Sequence, residues 1–402
     1  MIKRLLAVGL CLLLVLAQSA TALADEIDVD LKLDEGLPEA VQVITLAEDS
    51  IPAKSAILMD QQSGRVLFEQ NADEPVAPAS ITKIMTLLLV IEALEEGKIS
   101  LEDKVVTSEL AASMGGSQIW LEPGEEMTVD ELLRAVAIAS ANDASVALAE
   151  HVAGSEPAFI ERMNKRAAQL GMQNTRFLNC TGLDEEGHVT TARDVAIVSR
   201  ELISHPMIIE YSTIWMDELR NGETQLVNTN KLVRFYPGAT GLKTGTTSIA
   251  GSCLSATATR DGLSLVAVVM GAPNSDSRFA AARGLLDYGF ANYVSVTPPS
   301  IADRLTPVKV LHGVKDSVMP VYTSPGNIVV EKELEDKIEQ VITLAEDVQA
   351  PVAMGQVLGT VEIMVDGAVV GSYPLKAGEE IERMTLPRAF AILLKSVLQL
   401  HH

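Results

Sequence analysis

The chain has 402 residues, 48% hydrophobic and 21% charged, so it can bury a substantial core and does not have the make-up of a disordered chain. Its 31 basic and 54 acidic residues give a net charge of −23, which excludes nucleic-acid binding that depends on neutralising phosphates. Aromatic residues make up only 4%, so the bulk composition offers no stacking platform for bases or sugars.

The first 24 residues read as an export signal. Lys3 and Arg4 open it, Leu5 to Ala17 form an apolar run short for a membrane span, and Ala22-Leu23-Ala24 supplies a small-residue cleavage site. Cleavage there removes two basic and no acidic residues, leaving 29 against 54 and a charge of −25. Cys11 lies too deep in the apolar run to be a lipoprotein cysteine. Cys180 and Cys253 remain, and are expected as small buried thiols rather than a disulfide.

Residues 25–50 form an acidic leader without a clear period, and residues 51–297 read as the main domain. Ala56 to Asp60 and Arg65 to Glu69, around Gln62-Ser63-Gly64, predict a β-hairpin. After Pro75 and Pro78 the pattern turns helical, with Ile84, Leu87, Leu88, Ile91 and Leu94 on one spacing. Helices are also predicted over Glu131 to Ala153 and over Ala158 to Leu170, the latter closed by Gly171. Gly251 to Met270, broken at Asp261-Gly262, predicts a second hairpin. Strands at both ends of a helical middle imply one sheet built from distant segments.

Thr297-Pro298-Pro299 marks a boundary. Short β-rich pieces follow at Val308 to Leu311, Val318 to Val321, Asn327 to Val330, Val357 to Val365 and Ala368 to Tyr373, with a turn at Asp366-Gly367. They predict a small all-β domain over 300–380. The octapeptide Gln42 to Asp49 recurs identically at Gln340 to Asp347, without any wider repeat. Over 386–402 a helix is expected, with Leu386, Phe390, Leu393, Leu394, Val397 and Leu400 on one side. Arg388, Lys395 and Gln399 lie on the other. Such a helix is too short to span a bilayer but suited to lying in its surface.

Three short motifs carry chemistry. In Ser80-Ile81-Thr82-Lys83, residues three apart share a helix face, so the Lys83 amine can reach the Ser80 hydroxyl. A serine hydroxyl becomes a useful nucleophile when a neighbouring base takes its proton, and a lysine is such a base when neutral. Lys243 is a candidate for the second cation that would favour the neutral form. Ser140-Ala141-Asn142 and Lys243-Thr244-Gly245 are the other two motifs. Each is common alone. Their conjunction in this order, about sixty and about one hundred residues apart, is the signature of penicillin-binding proteins and class A β-lactamases.

The chain resembles the low-molecular-mass, type-5 penicillin-binding proteins, a family of serine D-Ala-D-Ala carboxypeptidases, over nearly all of its length beyond residue 24. The resemblance rests on Pro78 to Thr86, Leu121 to Glu125, Ser140 to Ala144, Met163-Asn164 and Leu170-Gly171-Met172. Asn179 to Leu183, Gly187 to Asp194 and Gly241 to Gly245 extend it. It implies an α+β fold of the penicillin-recognising kind, an antiparallel sheet with helices and a helical lobe. The small all-β domain and the C-terminal amphipathic helix would follow.

It also implies that Ser80 attacks the carbonyl between two D-alanines of a peptidoglycan stem pentapeptide, with Lys83 as base and Ser140 as proton relay. Asn142 would orient Lys83 and substrate, the N–H groups of Ser80 and Thr246 would form an oxyanion hole, and Lys243 and Thr244 would hold the terminal carboxylate beside Gly245. β-Lactams would acylate Ser80. No cofactor or metal is implied; the expected setting is the outer face of a bacterial cytoplasmic membrane or the periplasm, with the C-terminal helix on the membrane surface.

Two departures stand out. Thr246 occupies a position where the family often has His, and an arginine that helps hold the carboxylate in some members falls at Thr229, with Arg234 and Lys231 as substitutes. His188 and the neighbouring Glu185 and Glu186 are read as structural and solvated, respectively. A β-lactamase would need a Glu-x-x-x-Asn loop, which is missing, and relatives with endopeptidase activity generally lack the β domain. A non-catalytic binder is disfavoured because Ser80 and Lys83 are both intact.

Overall fold

The structure, a computed structural model, describes residues 45–47 and 50–399. The expected export signal and most of the acidic leader lie outside these residues. Five antiparallel strands make the central sheet: β1 (Ser55–Asp60), β2 (Val66–Gln70), β3 (Ala239–Thr247), β4 (Gly251–Arg260) and β5 (Leu263–Ala272). Their spatial order is β2-β1-β5-β4-β3. Both expected hairpins form, and the distant halves meet where Ile57 of β1 lies opposite Val268 of β5.

β5 shows why the sheet can be buried on both faces. Val266, Val268 and Met270 enter one hydrophobic core, while Leu265, Ala267 and Val269 enter the other. That is the strand period of two applied to an apolar run. The first core is filled by helices α1 (Lys83–Glu95), α2 (Asn142–Ala153), α3 (Glu156–Leu170) and α4 (Ala192–Ser204). α1 is buried on every side from Lys83 to Ile91 and packs on α2 and α4, as a helix apolar all round must. Helix α5 (Ser275–Asn292) covers the second face.

One expected helix is broken. In place of a continuous element over Glu131 to Ala153, a helix over Val129–Arg134 runs into a π-helical turn at Ala135–Ala139. Ser140 is then left-handed, with φ 63° and ψ 32°, and α2 begins at Asn142. The segment Ala135-Val136-Ala137-Ile138-Ala139 contains no Gly or Pro, and its apolar pattern passes smoothly through the break. The break is held by distant partners: the Asn142 N–H donates to the Ser117 carbonyl at 2.7 Å. Such π-turns concentrate at functional sites.

Beyond α5, Tyr293–Val296 pairs with Ile328–Glu331. A four-stranded sheet follows, containing β6 (Ile338–Leu344), β7 (Val357–Val365) and β8 (Ala368–Ala377), with β7 between the other two and Pro320–Val321 beyond β8. The second copy of the octapeptide supplies most of β6, an edge strand not anticipated from the sequence because its alternating side chains are only half buried. The Arg65 guanidinium donates to the Val329 carbonyl at 2.6 Å, joining the hairpin of the central sheet to this region. Helix α6 (Leu386–Gln399) ends the described chain. Cys180 and Cys253 are buried and unpaired.

Candidate active site

Ser80 and Lys83 sit where a 3₁₀ turn, Ala79–Thr82, runs into α1. With three residues per turn, the two side chains are nearly eclipsed. The Lys83 Nζ lies 3.0 Å from Ser80 Oγ, 2.7 Å from the Thr181 carbonyl and 2.5 Å from Asn142 Oδ1. Lys83 is fully buried. Burial lowers its pKa to about 7, partly offset by the nearby Cys180 and Asp143.

Asn142 reaches Lys83 because the broken helix places it at the start of α2. Its Nδ2 donates to the Gly115 carbonyl at 2.6 Å, which fixes Oδ1 toward the lysine. The Thr181 carbonyl is presented by a turn in which Asn179 Oδ1 accepts from the N–H groups of Thr181 and Gly182. Gly182 is forced by proximity: a Cβ there would lie 1.8 Å from the Ala79 carbonyl oxygen. The same loop also touches α1 and the nucleophile turn. Thr86 Oγ1 donates to the Cys180 carbonyl at 2.7 Å, and His188 Nε2 lies 3.1 Å from Thr82 Oγ1.

β3 brings the third motif to the other side of Ser80. A Cβ on Gly245 would stand 3.0 Å from the Ser80 nitrogen and 3.1 Å from the Ile81 nitrogen, so the strand lies directly along the nucleophile turn. Lys243 is buried, and its Nζ donates to the Thr244 carbonyl at 3.0 Å. Burial holds its pKa well below the usual lysine value, with the charges of Lys83 and Arg278 acting the same way. Thr244 Oγ1 donates to Thr229 Oγ1 at 2.7 Å, whereas Thr246 is exposed. Ser140 is buried, but among the described residues no hydrogen bond links its hydroxyl to Ser80, Lys83 or Lys243.

The proposed substitutes for the missing arginine point elsewhere. Lys231 stands over the Phe279 ring, and Arg234 over the rings of Trp215 and Phe235. The cation at β3 is Arg278 of α5. Its guanidinium donates to the Gly245 carbonyl at 3.0 Å and to Thr246 Oγ1 at 2.8 Å, and burial lowers its pKa. Sequence reasoning missed it. The one available signal was a basic residue on the first turns of an otherwise Ala- and Leu-rich helix, followed at once by Phe279.

A half-buried serine in contact with a buried lysine, flanked by a second buried lysine, is an acyl-transfer site in its chemistry. The profile of the D-alanyl-D-alanine carboxypeptidase family matches residues 42–274, and that of the penicillin-binding protein 5 C-terminal domain matches residues 297–383. The chain belongs to the D-alanyl-D-alanine carboxypeptidase family. D-alanyl-D-alanine carboxypeptidase DacF of Bacillus subtilis is 45% identical over 336 residues, covering 82% of this chain and 86% of that relative. The crystal structure of penicillin-binding protein 5 from Haemophilus influenzae superposes with a TM-score of 0.77 at 33% identity, covering 84% of this chain and all of that one. Ampicillin-bound penicillin-binding protein D2 from Listeria monocytogenes gives 0.56 at 32% identity, over 61% of this chain and 100% of that one. In this chain the helical lobe and sheet are followed by a C-terminal β region and a short helix.

The protein is thus a serine-type D-alanyl-D-alanine carboxypeptidase with the penicillin-binding DD-peptidase fold.

Proposed function

We propose that Ser80, Lys83 and Ser140 carry out the carboxypeptidase reaction on peptidoglycan stem pentapeptides, with Asn142 and the Lys243–Thr246 strand binding substrate. The observation that carries this reading is the set of three contacts around Lys83 Nζ. A neutral amine has two N–H donors and one lone pair. Asn142 Oδ1 and the Thr181 carbonyl take the donors, which leaves the lone pair facing the Ser80 hydroxyl. With a pKa of about 7, half of the lysine is neutral near that pH, where a general base works well.

In the first half-reaction Ser80 Oγ bonds to the penultimate D-alanine carbonyl carbon while Lys83 takes the hydroxyl proton. The bond from that carbon to the terminal D-alanine nitrogen breaks, and Ser140 relays a proton to the leaving amine. Water then hydrolyses the Ser80 ester. The N–H groups of Ser80 and Thr246 are the oxyanion donors, a contribution of roughly 3–4 kcal/mol per donor in other hydrolases. The terminal carboxylate sits by Lys243 and Thr244, and its negative charge favours the protonated form of a lysine that burial otherwise disfavours. Arg278 supports the same strand from behind. β-Lactams present an equivalent carbonyl and carboxylate and acylate Ser80.

The same reading puts the enzyme outside the cytoplasm, exported by residues 1–24. Helix α6 would lie on the membrane surface: Leu386, Phe390 and Leu394, four residues apart, are exposed along one stripe. Among the described residues no helix is long and apolar enough to cross a membrane.

The test is D-alanine release from a peptide ending in Lys-D-Ala-D-Ala, using residues 25–385 beside the Ser80→Ala variant. Release by the parent that vanishes in the variant is the expected result. A folded parent that releases none would overturn the reading.

A further inference from the structure

Trp120 is the feature that the reaction leaves unexplained. Its side chain is 73% exposed, and its backbone is left-handed at φ 61°. Lone exposed apolar residues are ordinary, but a bulky aromatic at positive φ is not, and such strain persists only where the surroundings enforce it. Here they do. The buried Asp143 carboxylate accepts from the N–H groups of Ile119 and Leu121, at 3.1 Å for each shorter contact. Arg220 donates to the carbonyls of Ile119 at 2.8 Å and Trp120 at 3.4 Å, and is itself held by Glu125. Ile119 and Leu121 are buried as anchors on either side. The indole is therefore held outward on a rigid, doubly clamped backbone.

The clamp is built from the active site. Asp143 follows Asn142 directly, and the carbonyls of Gly115 and Ser117 receive the Asn142 side-chain and backbone N–H groups. Trp120 is three residues beyond Ser117, at most about 10 Å of chain from the residue whose carbonyl receives the Asn142 N–H. Leu183, also exposed, approaches the same loop at Gly116, 4.0 Å from where a Cβ would stand. The loop that holds Asn142 thus carries one exposed apolar side chain, Trp120, and has a second, Leu183, beside it.

Resting on the proposed carboxypeptidase reaction, the geometry points to Trp120 as a substrate contact that takes the alkyl side chain of the residue preceding D-Ala-D-Ala. A flat indole buries methylene groups without demanding a particular polar end group, which suits the long aliphatic stem of a diamino acid. Trp120 accordingly sets a preference for such a residue over a side chain-free one.

The experiment compares kcat/KM for diacetyl-L-Lys-D-Ala-D-Ala and acetyl-Gly-D-Ala-D-Ala in the parent, Trp120→Ala and Trp120→Phe. The lysyl-to-glycyl ratio is expected to fall roughly tenfold in Trp120→Ala, with most of it restored in Trp120→Phe. An unchanged ratio in Trp120→Ala, with an active parent, would overturn the inference alone. A parent that releases no D-alanine from either peptide would overturn the catalytic reading and the inference together.

Discussion

The region from Ser55 to Arg278 and the β region after Tyr293 fold by different rules. Every buried charged or amide side chain among the described residues lies in the first, including Lys83, Lys243, Asp143 and Arg278. The β region buries apolar side chains such as Val361, Ile363 and Leu375. Burying a charge or an amide costs free energy unless it is paired, and three buried basic side chains within one site lower stability. A fold keeps such groups where they do chemistry. The β region has no such concentration and reads as a packing unit.

That contrast is sharpest for two substitutions. Lys83→Met removes the proposed base while retaining an unbranched side chain of similar reach, so acylation should fall by about 10³-fold. It would be followed with a fluorescent penicillin, with near-ultraviolet circular dichroism to show that the variant stays folded. Leu375→Ala, deep in the β region, should instead lower stability by about 2–5 kcal/mol in urea titration. Its kcat on a folded sample should match the parent. A fall in kcat for Leu375→Ala would show the two regions to be coupled, and the contrast would fail.

The buried-base reading also fixes a pH dependence. Lys83 acts as a base only when neutral, and its pKa is lowered to about 7. The second-order rate of acylation should therefore plateau above that pH and drop tenfold per unit below it, so that pH 6 gives about one-tenth of the plateau. A rate still rising tenfold per unit from pH 8 to pH 9 would mean an ordinary, solvated lysine, and the case for a buried base would be lost.

How much of this was legible beforehand follows the same division. The two hairpins were readable because alternation and Gly turns are local, and Ser80 and Lys83 because their spacing is a local geometric fact. The central β1–β5 pairing followed only as an inference from strands at both ends of the chain segment. Long-range placement was not legible. The break at Ser140 is held by Ser117 and Asn142, which the apolar run through Ala135 to Ala139 does not reveal. Arg278 was missed because its meaning comes from the Gly245 carbonyl and Thr246, more than thirty residues earlier, and not from its own helix. Strand β6 was overlooked because an edge strand buries too little to show a strong pattern.

His188 tests the contrast at its weakest point, a buried polar group behind the site rather than in it. Its Nε2 lies 3.1 Å from Thr82 Oγ1, while Nδ1 is buried without a partner. The neutral form that donates from Nε2 is the one that leaves only a bare lone pair in the protein interior. Burial lowers its pKa from 6.5 to about 4, against a smaller opposing pull from Glu185 and Asp184. The unfolded chain then binds more protons than the folded one between those values, so stability is lost as pH falls from about 6.5 toward 4. The whole loss is about 3 kcal/mol. His188→Phe retains an aromatic body beside Phe177 but strands the Thr82 hydroxyl, and near pH 7 should cost about 1 kcal/mol. Near pH 4 the order should reverse, because the variant has no imidazole to protonate. Urea titrations of both proteins across this range should cross; parallel curves would mean that His188 titrates as an exposed histidine does, and that the polar interior behind Ser80 is wetter than its burial implies.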